Sequence, residues 1–400
     1  MKRFEKQAII YTSACHGLVH ILELTYGAVL IGIAQEFGAS LFVLGILANV
    51  LGLAFGVAAL PAGLLADRMS ERRLLMLCCL GMGLSSIIIG LSPNIHILGI
   101  ALLALGLALG IYHPAGSTFI ARVAANRGLG FGYLGVGGNI GLALGPILAS
   151  AIASVLGWRA SYLIFAIPAI FLAAIFFFFT RTEMPSRQQS ITDTNVSTRK
   201  LALRPFILPL GLILCAGIMN GFIYRGTVTF LPLYLSERIH LTFLNLDSVL
   251  AAGSFATIAL AFGVGGQFLG GYLSERRRRE SLAFIVALAA VPLLVLMGNS
   301  EGVILMIAAA TFAFFYFMGQ PVYNNLIADY SPTDWHGRLY GIYFLCTFGF
   351  GSFSASILGY VADQFGINWV FMAAAGFGLL TLICTVFLLM RALKISKHIN

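Results

Sequence analysis

Charge is what this chain has least of. Only 10% of its 400 residues are Asp, Glu, Lys or Arg, while 59% are hydrophobic, and its mean hydropathy is +0.94. A soluble domain of that make-up would expose large apolar patches, so a soluble globular protein is excluded. Other absences narrow the class further. No Gly-x-x-x-x-Gly-Lys-Ser/Thr sequence occurs, which argues against ATP hydrolysis as an energy source. No nucleophile–base or cofactor motif is visible, so neither an enzyme nor a bound cofactor is expected. The six cysteines (Cys15, Cys78, Cys79, Cys215, Cys346, Cys384) all fall in apolar runs. They read as small buried hydrophobes and not as a disulfide framework or zinc knuckle. The apolar stretches do not alternate polar with apolar, which excludes a membrane β-barrel.

What the chain does have is length in its apolar runs. Twelve can cross a bilayer, which takes roughly 20 residues each: 8–32, 41–66, 74–91, 97–121, 129–156, 158–180, 205–235, 248–273, 281–298, 302–328, 338–362 and 367–391. The expected fold is an all-α membrane protein. Its twelve transmembrane helices form two pseudo-symmetric six-helix bundles, 1–180 and 205–400, joined by a polar cytoplasmic linker at 181–204. The first span, broken by His and Glu and without a convincing cleavage site, reads as a retained helix and not a secretory signal. The net charge of +9 invites a nucleic-acid reading, but its distribution argues against one. Lys2, Arg3, Arg72, Arg73, Arg187, Arg204, Arg276 to Arg279, Lys394 and most of the others fall at alternate loop ends. This is the positive-inside bias, and it places both termini in the cytoplasm of a bacterial-type inner membrane.

The halves repeat one another at an offset of about 210 residues. Tyr112-His113-Pro114 is echoed by Gly319-Gln320-Pro321, Gly63–Arg68 by Gly271–Arg276, and Trp158 by Trp369. Two related bundles that rock about a central site make a transporter, and paired helix interruptions at matching places point to that site.

Charges inside a bilayer cost on the order of 2.5–3.5 kcal/mol each, so those retained are functional candidates. Glu23 is the only acidic residue well inside an apolar span. With His16 and His20 it follows an i, i+4, i+7 spacing, one stripe within about 60° of a helix face. Imidazole and carboxylate together can take up and release a proton, so the stripe is a candidate proton or substrate site. Two histidines one turn apart with a carboxylate also suit a transition metal, the alternative reading of His16, His20 and Glu23. A third reading is a polar clasp between helices. Arg225, in the seventh span, falls opposite His20 across the repeat. It is a candidate for holding negative charge, unless it snorkels to water at the outer end. Tyr112, His113, Asn220, Tyr224, Gln320, Tyr323 and Asn324 are candidate substrate-binding residues, with local kink partner as the other reading of His113. Gln267 and Asn139 read as glue between helices, Asp329 as a loop or gate anchor, and Phe176–Phe179 as lipid-facing bulk.

The residues resemble the major facilitator superfamily over essentially the whole chain. Gly63-x-x-x-Asp67-Arg68-x-x-x-Arg72-Arg73 is similar to that family's signature loop between helices two and three. The resemblance implies that Asp67 and Arg68 act as a conformational latch, with Glu275 and Arg276 as its second copy. Ser70 and Glu71 stand where the family usually has Gly and Arg. Gly137-x-x-x-Gly141-x-x-x-Gly145-Pro146 is similar to the motif of the family's proton-coupled antiporters, with Ala149-Ser150 in place of the usual terminal glycines. His16, His113-Pro114-Ala115 and Thr229–Leu235 together look most like the fosmidomycin-resistance type of efflux protein, although His20 replaces that group's usual Asp. The resemblance implies a proton-coupled antiporter exporting a small polar or anionic compound, and since one chain contains both halves it is expected to work as a monomer. Its partners would be substrate, protons and membrane lipid, with no nucleic acid. A transition-metal or metal-chelate transporter and, from another class, a non-transporting membrane sensor or assembly factor are the rival readings. The lack of any sizeable soluble domain argues against the latter.

Overall fold

The computed structural model describes residues 3–66, 69–124, 127–178, 204–239, 247–331 and 336–399, and every regular element among them is a helix. The expected linker at 181–204 and the latch residues Asp67 and Arg68 lie outside the described residues, Arg204 excepted. The first half contains α1 (Arg3–Ala28), α2 (Leu30–Phe37), α3 (Leu41–Ala66), α4 (Glu71–Gly90), α5 (Ile95–Val123), α6 (Arg127–Leu156) and α7 (Trp158–Phe178). The second contains α8 (Arg204–Arg238), α9 (Ser248–Ser274), α10 (Arg279–Gly298), α11 (Gly302–Asp329), α12 (His336–Phe344), α13 (Ser354–Phe365) and α14 (Asn368–Ile399). Eleven spans are long and apolar enough to cross a membrane, and the bent pair α1–α2 makes the twelfth. The protein is therefore an integral membrane protein. Below, the inner end is the one where α1 begins and α14 ends.

Two spans depart from the sequence expectation. The first continues past 32 to Phe37 after a 47° bend, and Gly38 ends it in the left-handed region at φ 58°. Gln35 and Glu36, beyond the expected span, belong to an exposed last turn, where Glu36 accepts a hydrogen bond from Trp158 Nε1 at 2.7 Å and pairs with Arg159. The eleventh span is not one regular helix. Between α12 and α13 the chain makes a π turn, Leu345–Gly349, and a 3-10 turn, Phe350–Phe353. Such irregular turns re-aim side chains and recur at functional sites.

Regularity elsewhere follows from sequence. Asn94 and Asp247 cap the outer ends of α5 and α9, each accepting from two backbone N–H groups. Pro114 and Pro321 sit inside α5 and α11, the matching central helices of the two halves.

The outer side is where the halves close on each other. A Cβ on Gly45 of α3 would fall 2.2 Å from the Ala355 carbonyl of α13, and one on Gly253 of α9 would fall 1.8 Å from Ser150 Oγ of α6. Only glycine permits backbones this near. Asp363 of α13 accepts hydrogen bonds from the Leu41 and Phe42 N–H groups at 2.9 and 2.7 Å, capping the first turn of α3 from the opposite half. Ile147 N donates to Thr257 Oγ1 at 3.0 Å, another contact between halves at that level.

Candidate functional site: a cavity between the halves

Beneath this seal lies a cavity of about 220 Å³. Its lining reaches toward the inner ends of the helices, to Gly135 on α6, Gln267 on α9 and Asn324 on α11. The first half contributes His16 and His20 from α1, His113 from α5 and Asn139 from α6. The second contributes Asn220 and Tyr224 from α8, Gln320 and Tyr323 from α11, and Tyr343, Phe344, Thr347 and Phe348 from the irregular eleventh span.

On the first wall the polar groups form a chain. His16 Nδ1 lies 2.7 Å from the Leu134 carbonyl. The two Nε2 atoms of His16 and His20 lie 3.1 Å apart. His20 Nδ1 lies 3.0 Å from Glu23 Oε2, and Glu23 Oε1 lies 3.5 Å from Arg225 Nη2. Glu23 and Arg225 are 3% and 4% exposed. Hydrogen counting restricts this chain. A carbonyl only accepts, so His16 donates from Nδ1. A fully bonded chain places one hydrogen between the two Nε2 atoms and one between His20 and the carboxylate. Neutral imidazoles and an ionised carboxylate supply one hydrogen too few. A proton taken up by His16, His20 or Glu23 would complete the chain.

The structure brings the predicted stripe together and adds His113 to it. The His113 ring lies 5.4 Å from that of His16 and 5.9 Å from that of His20, centroid to centroid. Phe55 packs edge-on against it and Phe344 stacks with it at 6.2 Å. Arg225 does not snorkel, because its partner is Glu23 across the interface between halves. Three expected site residues lie behind the lining. Glu23 and Arg225 neutralise each other there, and Tyr112, 1% exposed, gives its hydroxyl to the Thr12 carbonyl while its ring backs His16 at 4.8 Å. The metal alternative is corrected as well. The nitrogens that converge within 4.8 Å belong to His16, His20 and His113, and Glu23 stands one bond removed, behind His20.

On the second wall Gln267 Nε2 donates to Gln320 Oε1 at 3.3 Å, so the expected glue residue also faces the cavity, as does Asn139. Asn325 turns away to Ser274. At the inner end Arg276 lies over Tyr272 of its own half, with its guanidinium carbon 3.8 Å from the ring centroid. Asp329 pairs with Arg279 and so anchors the loop. Two lesser expectations fail: Phe176 is fully buried, unlike Phe177 and Phe178, and Cys215 is exposed.

Sequence reasoning missed Tyr316, Phe344, Thr347 and Phe348. Tyr316 was findable, being one turn from Gln320 and two from Tyr323 on one face of α11. Its hydroxyl donates to the Asn220 carbonyl at 2.8 Å and its ring stacks with Tyr224 at 6.0 Å. Thr347 and Phe348 lie in the π turn, which no periodicity announces, and Phe344 ends the helix just before it.

Known proteins match this architecture. The sequence profile described as Major Facilitator Superfamily matches residues 12–356. The chain is 26% identical over 318 residues to the fosmidomycin resistance protein of Escherichia coli K12, covering 76% of this chain and 73% of that one. It is 23% identical to the cis,cis-muconate transport protein of Acinetobacter baylyi, covering 86% and 85%. It is 27% identical to a probable L-galactonate transporter of E. coli K12, of which it spans just over half, 55%, with 61% of this chain covered. Among solved structures, a bacterial homologue of the human lysosomal transporter Spinster, in an inward-facing and unoccupied conformation, superposes with a TM-score of 0.77. The two share 17% identity, with 97% of each chain covered. The transmembrane helices, the central cavity between two similar halves and the profile match agree: the chain belongs to the Major Facilitator Superfamily and is a membrane transporter, not an enzyme.

Proposed function

We propose that this protein is a proton-coupled secondary transporter that exports a small polar compound by alternating access. The observation that carries the reading is the hydrogen-bonded chain His16–His20–Glu23–Arg225, set against a cavity that is sealed on the outer side. With one extra proton the chain is satisfied. Without it, lone pairs face each other between the two Nε2 atoms, and the imidazoles need a donor from the cavity. Cargo and proton therefore compete for the same nitrogens, which is the requirement for exchange. His113, Asn220, Tyr224, Gln320, Tyr323 and Asn324 supply the remaining hydrogen bonds and aromatic faces, and Tyr112 holds the His16 ring. The halves, 1–180 and 205–400 about the linker 181–204, rock about this site. Asp67 and Arg68, with Glu275 and Arg276, latch the inner ends when the outer side opens. Positive-inside asymmetry supports an inner-membrane setting with both termini in the cytoplasm, and one chain carries both halves, so the monomer suffices.

Charge decides how an anionic cargo would behave. The proton-loaded site carries one net positive charge, that of Arg225 and imidazolium offset by Glu23. The unloaded site is neutral. An anion therefore binds with the proton and moves in its direction, whereas a neutral donor or a cation exchanges against it. Proteoliposomes under an imposed pH gradient test both, using gallate, cis,cis-muconate, fosmidomycin and a neutral sugar, the cargo classes in the names of relatives. Glu23→Gln is expected to abolish gradient-driven accumulation while leaving the folded protein intact. Unchanged pH dependence in that variant overturns the coupling role.

A further inference from the structure

We infer that His16, His20 and His113 form a binding site for a late first-row divalent metal ion such as Zn, Co or Ni, with an open coordination position facing the cavity. The inference rests on the central cavity being the cargo site and names a cargo class for it: the metal itself or a complex that brings its own ligands.

The geometry points this way on four counts. The Nε2 atoms of His16 and His20 face each other at 3.1 Å. Two nitrogens about 2.05 Å from one tetrahedral metal stand about 3.3 Å apart, so this pair is nearly set for a shared ion. One ring nitrogen of each of the three histidines lies within 4.8 Å of the others, leaving His113 a short inward movement to complete the set. His113 Nε2 is buried and has no hydrogen-bond partner. Finally, both α1 histidines are held from behind at Nδ1, His16 by the Leu134 carbonyl and His20 by the Glu23 carboxylate. That is the outer-shell pattern of metal-binding histidines, which fixes the tautomer and leaves Nε2 to the ion. Three imidazoles with no carboxylate in direct contact select zinc, cobalt, nickel or copper over magnesium or calcium. Three protein ligands leave a fourth position open for water or for a ligand that the metal brings with it.

The test uses the full chain in detergent, its purification tag removed, titrated with ZnCl2, CoCl2 and NiCl2, with MgCl2 and CaCl2 as hard-cation controls. Binding is read by calorimetry, by thermal shift and by the visible absorption of Co2+. One equivalent is expected, with a raised melting temperature and the absorption bands of nitrogen-rich, low-coordinate cobalt. Glu23→Gln should weaken binding by about 10–100-fold as an outer-shell partner, and His113→Ala by more. His113→Gln keeps the side chain's bulk should the alanine variant fail to fold. Replacing the exposed outer His96 by Ala should change nothing. Absence of late-metal binding, or binding that survives every His113 substitution, overturns the inference. Organic cargo driven by a pH gradient in the presence of a chelator would leave the transport reading standing while the metal reading fell. Metal binding with no gradient-driven movement of any cargo would do the reverse.

Discussion

The two halves share a backbone plan and differ in the chemistry each turns to the cavity. Pro114 interrupts α5 as Pro321 interrupts α11, and Gly157 and Gly366 make matching positive-φ turns before the last helix of each half. Beside those prolines stand His113 in one half and Gln320 in the other. The first wall carries three imidazoles that can exchange a proton. The second carries amides, phenols and phenyl rings, which can hydrogen-bond or pack without changing charge. Arg225, a buried charge of the second half, pairs with Glu23 of the first. The matching prolines and glycines thus stand beside different chemistry, with the imidazoles on one wall and most of the amides and aromatic rings on the other. Ion pairs and caps that cross between halves should then shift the balance of conformations, and rim pairs within one half should not.

The largest effect is expected where the buried charges cross. Arg225→Met leaves Glu23 buried without its cation, which costs about 3–5 kcal/mol and should appear as a steep fall in melting temperature near neutral pH. The double variant Glu23→Gln/Arg225→Met should recover most of that stability and none of the coupling. A smaller effect is expected at the outer rim. Asp363→Asn weakens the cap that the second half places on α3, worth about 1 kcal/mol, or about a fivefold shift toward the outward-open state. Spin-label distances across the outer ends would measure it. The smallest effect is expected for Arg159→Gln, whose partner Glu36 is in its own half and 45% exposed at the side chain. Its contribution is below about 1 kcal/mol, and the same spin-label distances should not change. A shift at Arg159 equal to that at Asp363 would erase the distinction between crossing and local contacts.

Much of this was legible in the chain because apolar length and helical spacing are local properties. All twelve spans, the His16–His20–Glu23 stripe, the Arg225 position across the repeat and the paired prolines follow from counting residues. What escaped depends on packing between distant segments. Nothing near His113 in sequence shows that α5 brings its ring against His16 and His20, and so the third imidazole of the cluster replaced Glu23 only in three dimensions. The hold of Leu134 on His16 is a backbone carbonyl, invisible to any reading of side chains. Asp363 falls just past the expected span 338–362, and the N–H groups that donate to it belong to a helix more than 300 positions earlier. The π turn that carries Thr347 and Phe348 in the cavity wall is a departure from periodicity, and periodicity was the signal in use.

The most direct test of the coupling chain is proton movement driven by cargo. Proteoliposomes loaded with a pH-sensitive dye, without an imposed gradient, would be exposed to each cargo in turn, first with wild-type protein and then with Glu23→Gln. The account predicts that a transported neutral or cationic cargo drives protons the opposite way in the wild type, and that Glu23→Gln moves none. Cargo entry without proton movement in the wild type, or equal proton movement in Glu23→Gln, would contradict it.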